Sequence, residues 1–327
     1  MVEEWGIAPV GLPVLRVVLS SGQLNASVMS LGASLVDLRL TDHPAPLVLG
    51  FSAPSIYAHD THYVGAIVGR VANRLARARF SLDGKTYRVD ANEGENCLHG
   101  GRGGFNTRNW TLDASGEDFA TFSLVSEDGE MGFPGTVRAT CRYQITPDNT
   151  LEICLRTTTD APTLCALASH AYFNLADGGA TSIDAHTLQV HATRYLKTDR
   201  WDLPTGEIAD VDGTRFDVTG AQTIGSRKMD HNFCLSDSPR DVCHVATLSA
   251  PNGPSMTVHT SEPGLQVYTG DYLVDAPTGI DGIVYRTRSG LCLESQIWPD
   301  SARHTHFPSA RLDPGEIRKQ VTRLRFS

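Results

Sequence analysis

Two titratable side chains stand in surroundings that give a charge little reason to be there. His170 lies in ALASHAYFNL and Glu294 in GLCLESQIWPD. The first run is too apolar for a surface loop, although a lone histidine in such a run is more often a satisfied core residue than a catalyst. The carboxylate of Glu294 is bracketed by Cys292, Leu293 and Ile297, so it must be paired, sit at a strand edge facing water, or face a cleft. His99 in NCLHGG, Asp230 in MDHNF and the pair Asn73-Arg74 in GRVANRLA are unremarkable one at a time. As a set they are a base-capable carboxylate and an acid-capable imidazole accompanied by an arginine, an asparagine, a further acid and a second histidine. That is the equipment for general acid–base work on a neutral, polyhydroxylated substrate. Tyr172, Phe173, Trp201 and Trp298 are candidate platforms for the apolar face of such a molecule.

The chain holds no P-loop, no GxGxxG after a strand, no HExxH and no GxSxG, so neither a nucleotide nor a metal cofactor is expected. The glycines of HGGRGGF, Gly100 to Gly104, do not have the spacing of a phosphate cradle and read as a tight loop that lets backbone approach closely. Seven cysteines, an odd number without a CxxC pair, argue against a disulfide framework and read as small buried hydrophobes. With 28 basic and 37 acidic side chains the formal charge is −9, which leaves no basic patch for nucleic acid.

The elements that must position these residues are strands. Alternation at period two recurs along the chain and a 3.6-residue stripe hardly at all. Leu151, Ile153 and Leu155 point one way after the turn Pro147-Asp148-Asn149, which makes a hairpin with the Thr136–Tyr143 segment. Asp83-Gly84 between Phe80–Leu82 and Tyr87–Val89 makes a second hairpin. Further strands are expected at 15–20, 24–30, 34–40, 119–125, 164–168, 186–192, 255–260, 265–269, 291–297 and 317–326, with short helices only around 53–77. The expectation is an all-β chain, one large antiparallel β-sandwich over residues 1–327, without internal repeats. The 327 residues suffice for one large core. The acidic N-terminal stretch lacks the basic region of a secretory signal, and no run approaches the ~18 apolar residues of a spanning helix. A cytoplasmic protein without membrane association is expected, as a monomer or a homodimer.

The motifs together resemble those of the aldose 1-epimerase (galactose mutarotase) family. GRVANRLARARFSLDGKTY is similar to its GRxANRI segment and hairpin, NCLHGGRGGF to its LHGG loop, and SHAYFNL to its (N/S)HxYFNL motif. LPTGEIADVDGTRFD, DHNF, PGLQVYTGDYL, LCLESQIWPDS and FPSARLDPGE follow in the family's order and spacing. The resemblance implies the galactose mutarotase-like supersandwich, no cofactor and a small sugar as substrate. It implies Glu294 as general base, His170 as general acid, and Asn73, Arg74, His99, Asp230 and Gln266 as sugar contacts. Ala171, and Asp271-Tyr272, depart from the family's usual residues and bear on sugar preference. A hexose-6-phosphate 1-epimerase is the nearest rival, Arg74 being suited to phosphate. A non-catalytic sugar-binding protein and a carbohydrate lyase or hydrolase follow. An imidazole near ~6.5 and a carboxylate near ~4.3 lead to a bell-shaped pH profile with its alkaline limb set by His170.

Overall fold

The structure is a computed structural model that describes residues 1–9, 11–251 and 253–327. Alternate burial sets the strands. In Val137–Thr146 the side chains of Val137, Ala139, Cys141, Tyr143 and Ile145 are buried, and those between them reach the surface. Thr150–Thr159 pairs with it antiparallel, placing Leu151 opposite Ile145 and Ile153 opposite Tyr143. The second expected hairpin is also present, Arg79–Leu82 against Lys85–Arg88, with Asp83 and Gly84 at φ 51° and 76° as a two-residue turn requires.

These strands assemble into three larger sheets with antiparallel ladders. A nine-stranded sheet runs in the order Thr111–Ser115, Phe119–Ser126, Val137–Thr146, Thr150–Thr159, Arg318–Phe326, Ser255–Thr260, Cys243–Ser249, Thr187–Val190, Gln222–Thr223. A four-stranded sheet joins Val2–Ile7, Pro13–Ser21, Leu24–Met29 and Leu35–Leu40. A six-stranded sheet has the order Tyr172–Phe173, Leu291–Gln296, Gly264–Tyr268, Asp230–Cys234, Arg194–Thr198, Pro204–Asp210. One continuous core takes Val17 and Leu19 from the four-stranded sheet, Phe122, Tyr143 and Val258 from the nine-stranded, and Phe233, Leu265 and Leu293 from the six-stranded. At roughly 1.5–3 kcal/mol per fully buried large apolar side chain, this shared core fixes the sheets against one another. The chain is an all-β sandwich.

Six of the longer strands lie outside the expected set, Val2–Ile7, Thr111–Ser115, Arg194–Thr198, Pro204–Asp210, Asp230–Cys234 and Cys243–Ser249, three of them in the six-stranded sheet; the other differences are local. The strand expected at 164–168 is two, because Thr163–Leu164 pairs with Arg311–Leu312 while Ala168–Ser169 pairs with Ile67–Val68. The helical content of 53–77 is one turn, Pro54–Tyr57, and the start of a 3-10 turn at Ala76–Ala78. Phe173 faces the core, and Trp298 packs on Phe307 with its indole donating to the Pro263 carbonyl at 2.8 Å, so neither is a platform. All seven cysteines are free, and six are buried. Among the described residues no helix is long and apolar enough to cross a membrane.

The six-stranded sheet matters most, because its second face is polar. Every residue of Leu291–Gln296 is buried, yet only Leu291 and Leu293 enter the large core; Cys292, which joins a smaller cluster with Leu49, Phe51, Tyr172 and Tyr268, and Glu294 point the other way. The register then aligns Tyr172, Cys292, Tyr268 and Asp230 in one cross-strand row, and Glu294, Gln266 and Asn232 in the next.

Candidate active site

Above that polar face lies a cleft of about 1010 Å³, whose wall includes Glu294, His170, Asp230, Asn73, Arg74 and His99. The sequence had scattered these six over much of the chain; the fold brings them together. His170 follows the Ala168–Ser169 strand, its N–H donating to the Ala66 carbonyl at 2.9 Å and its carbonyl accepting from the Gly65 N–H at 3.1 Å. Its Nε2 thereby stands 3.8 Å from Glu294 Oε1.

Asn73 and His99 approach from a small two-stranded ladder, Arg74–Leu75 against Cys97–Leu98. Each holds the other: the Asn73 N–H donates to His99 Nδ1 at 3.1 Å, and the His99 N–H to the Asn73 carbonyl at 3.0 Å. Both are left-handed, φ 61° and 52°, as is Tyr63 at φ 59°. Such backbone costs on the order of 1–3 kcal/mol per residue and persists only where the surroundings over-determine it. Gly100 next to His99 explains the glycine-rich loop, since a Cβ there would lie 2.1 Å from the Gly69 carbonyl oxygen.

Arg74 is held by its charge partners. Nε and Nη2 each donate to one Glu93 oxygen at 2.8 Å, and Nη1 lies 3.6 Å from Asp230 Oδ2. Gln266, paired with Glu294 on the same sheet face, is not part of the cleft wall; its amide donates to Asp230 Oδ1 at 2.6 Å and so helps to fix that acid. Tyr172 and Trp201 do line the cleft.

Sequence reasoning missed Tyr63, whose ring lies 4.6 Å from His99 and 5.7 Å from His170, and also Tyr268 and Glu93. Tyr268 carried a signal, since it falls two residues beyond Gln266 on the same strand face. Tyr63 sits in an irregular loop without periodicity.

Burial governs the electrostatics. It pushes the Glu294 carboxyl well above its ordinary range, helped by Asp230 and opposed by Arg74. It pulls His170 down to about 4, and His99 well below its ordinary value with help from His170 and Arg74. Asp230 is also raised by burial, with Arg74 opposing. Glu294 Oε2 is buried without a hydrogen-bond partner among the described residues, and Glu294 lines the cleft.

Ligand atoms of His99, His170 and Glu294 all lie within 4.8 Å of one another, close enough to raise the question of a metal. The His99 tautomer answers it. Because Nδ1 accepts a backbone N–H, the ring's own proton is on Nε2, and no bare nitrogen is left to ligate. The donor set suits sugar oxygens better than a cation.

The aldose 1-epimerase family profile matches residues 16–325. The chain belongs to the aldose 1-epimerase family. It is 37% identical to a bovine protein named galactose mutarotase, over 99% of this chain and 97% of that one. It is 34% identical to the aldose 1-epimerase of Escherichia coli K12, over 99% and 98%. Among solved structures, an aldose epimerase homologue from C. elegans superposes with a TM-score of 0.90 at 27% identity, covering 95% of this chain and 98% of that one. The enzyme class is accordingly isomerase, and the antiparallel supersandwich is the architecture of this aldose 1-epimerase as of its structural neighbour.

Proposed function

We propose that the protein interconverts the α and β anomers of a free aldose, with Glu294 as general base and His170 as general acid. The observation that carries this reading is the 3.8 Å approach of His170 Nε2 to Glu294 Oε1 inside a buried, otherwise polar cleft. Mutarotation requires removing the proton from the C1 hydroxyl while the ring oxygen gains one. Glu294 takes the first. His170, neutral because of its burial, delivers its Nε2 proton as the bond from C1 to the ring oxygen breaks and the aldehyde forms; a neutral imidazole is a competent donor of this kind. The proton now on Glu294 lies next to the nitrogen that gave one away, so the pair passes it across and no imidazolate persists. Rotation about C1–C2 and the reverse steps close the other anomer, and the catalysts end as they began.

Asn73, Arg74, His99 and Asp230 would hold the hydroxyls, with Gln266 holding Asp230. Arg74 supports a free sugar over a sugar phosphate: its charge is already met by Glu93, Asp230 and, at 3.9 Å, Asp202. Seven free thiols support a reducing, cytoplasmic setting. Polarimetry on freshly dissolved α-galactose and α-glucose, with the products assigned by NMR, tests the reading. The expected result is a decay of rotation far faster than in buffer alone, and a rate equal to the buffer blank for every free aldose would overturn it.

A further inference from the structure

We infer that Cys292 is a positioning residue: its buried thiol donates to His170 Nδ1 and thereby keeps the imidazole proton on Nε2, the nitrogen that faces Glu294. The Cys292 Sγ lies 3.7 Å from His170 Nδ1, within reach of a sulfur hydrogen bond, and both side chains are buried. The arrangement follows from strand geometry. Cys292 and Glu294 are two residues apart on Leu291–Gln296, so both project to the same face, one below each nitrogen of the same ring.

The direction of the bond follows from what each partner has available. Sulfur is a poor acceptor, and burial pushes this thiol well above its ordinary value, so it keeps its proton to give. The competing acceptor for an Nδ1 proton is the carbonyl of His170 itself, which spends one of its two lone pairs on the Gly65 N–H, so the thiol must outcompete the other. His99 shows the same design by other means, its Nδ1 accepting from the Asn73 N–H. Both histidines then present N–H groups from Nε2. One strand thus carries the base and sets the tautomer of the acid, and a slip of the register would disturb both together.

This inference rests on His170 acting as the proton donor, and its test separates the two ideas. Nitrogen-15 NMR of the unaltered protein near pH 7 reads the tautomer directly, without reference to activity. The expected spectrum shows His170 with a protonated Nε2 and a bare, hydrogen-bonded Nδ1; a protonated Nδ1 would overturn the inference whatever the enzyme does. Cys292→Val removes the donor at similar volume and is expected to admit the other tautomer and lower kcat roughly 3–10-fold with KM little changed, the scale of one modest hydrogen bond. Cys292→Ser keeps a donor and should recover the tautomer and most of kcat. A packing role predicts the opposite ranking, because a buried hydroxyl costs more than a methyl group in the same space. Valine equal to or better than serine in kcat would therefore also overturn it.

Discussion

Nε and Nη2 of Arg74 meet the two oxygens of Glu93 at 2.8 Å each, while Nη1 looks across 3.6 Å to Asp230. The planar guanidinium is therefore committed on one edge to a protein carboxylate and presents only its remaining N–H groups to the cleft. Paired in this way, a buried cation can donate to neutral hydroxyls without attracting an anion. Arg74 taken alone in the sequence would also suit a phosphate; the carboxylates that meet its charge, two of them far along the chain, support the proposal of a free sugar.

Binding of galactose or glucose should accordingly be nearly independent of ionic strength, and glucose 6-phosphate should bind more weakly than glucose. Arg74→Lys loses the two-point contact with Glu93 and should weaken free-sugar binding roughly tenfold or more, the scale of a charge-assisted hydrogen bond. Calorimetric titration of the three ligands at low and high salt checks this. Tighter, salt-sensitive binding of the phosphate ester would return the hexose-phosphate reading.

Glu294→Gln preserves volume and removes the proton acceptor, so kcat should fall ~10²–10⁴-fold with sugar binding retained. His170→Asn should lose a similar factor. Polarimetric rates on protein whose circular dichroism is unchanged decide the matter; a folded Glu294→Gln enzyme with near-normal turnover removes Glu294 from the mechanism.

Glu294 and His170 stood out in the sequence because a charge or imidazole inside an apolar run needs a reason, but only their company and the family resemblance pointed to acid–base roles; the alternation around them told of strands. The hairpin at Asp83-Gly84 was legible from turn chemistry that is wholly local. Other parts of the site were not, because they depend on register between distant strands. Cys292 looked inert among apolar neighbours; only its pairing with Tyr172 and its shared face with Glu294 bring it to His170. Gln266 was expected to touch sugar; the register sets it beside Glu294, from where its amide donates to Asp230. Phe173 and Tyr172, adjacent in sequence, end on opposite faces of one strand, which period two dictates once the strand is known.

Glu262 offers a stability test away from the cleft. It is 2% exposed, and burial raises its carboxyl to about 7, with Arg318, Gln320 and Ser261 opposing. The folded state holds this proton more tightly than the unfolded chain, where the ordinary value is 4.5. Stability is therefore highest below that value, is lost as pH rises toward 7, and stays lower above. Glu262→Gln should raise Tm at pH 8 by roughly 5 °C and give little difference at pH 4.5. Melting curves at both pH values check it; a glutamine variant less stable at pH 8 contradicts the account.

The pH profile should depart from the bell expected from ordinary side-chain values. Glu294 must be ionised to act, and burial first, then Asp230, place its carboxyl above the usual range, so kcat/KM should rise with pH through that elevated value. His170, pulled down to about 4, is already neutral above about pH 5, and the proton it delivers is the one on Nε2. No descending limb near 6.5 should follow from losing an imidazolium. Asp230→Asn removes the second cause of the upward shift and should move the ascending limb to lower pH, even though the lost hydroxyl acceptor raises KM. Initial polarimetric rates between pH 4.5 and 9, corrected for the spontaneous reaction, locate the ascending limb in both proteins and show whether a descending limb is present. A fall in activity between pH 6 and 7 that vanishes in His170→Asn would mean that the acid is an imidazolium after all, and that the bound sugar raises His170 back toward its ordinary value.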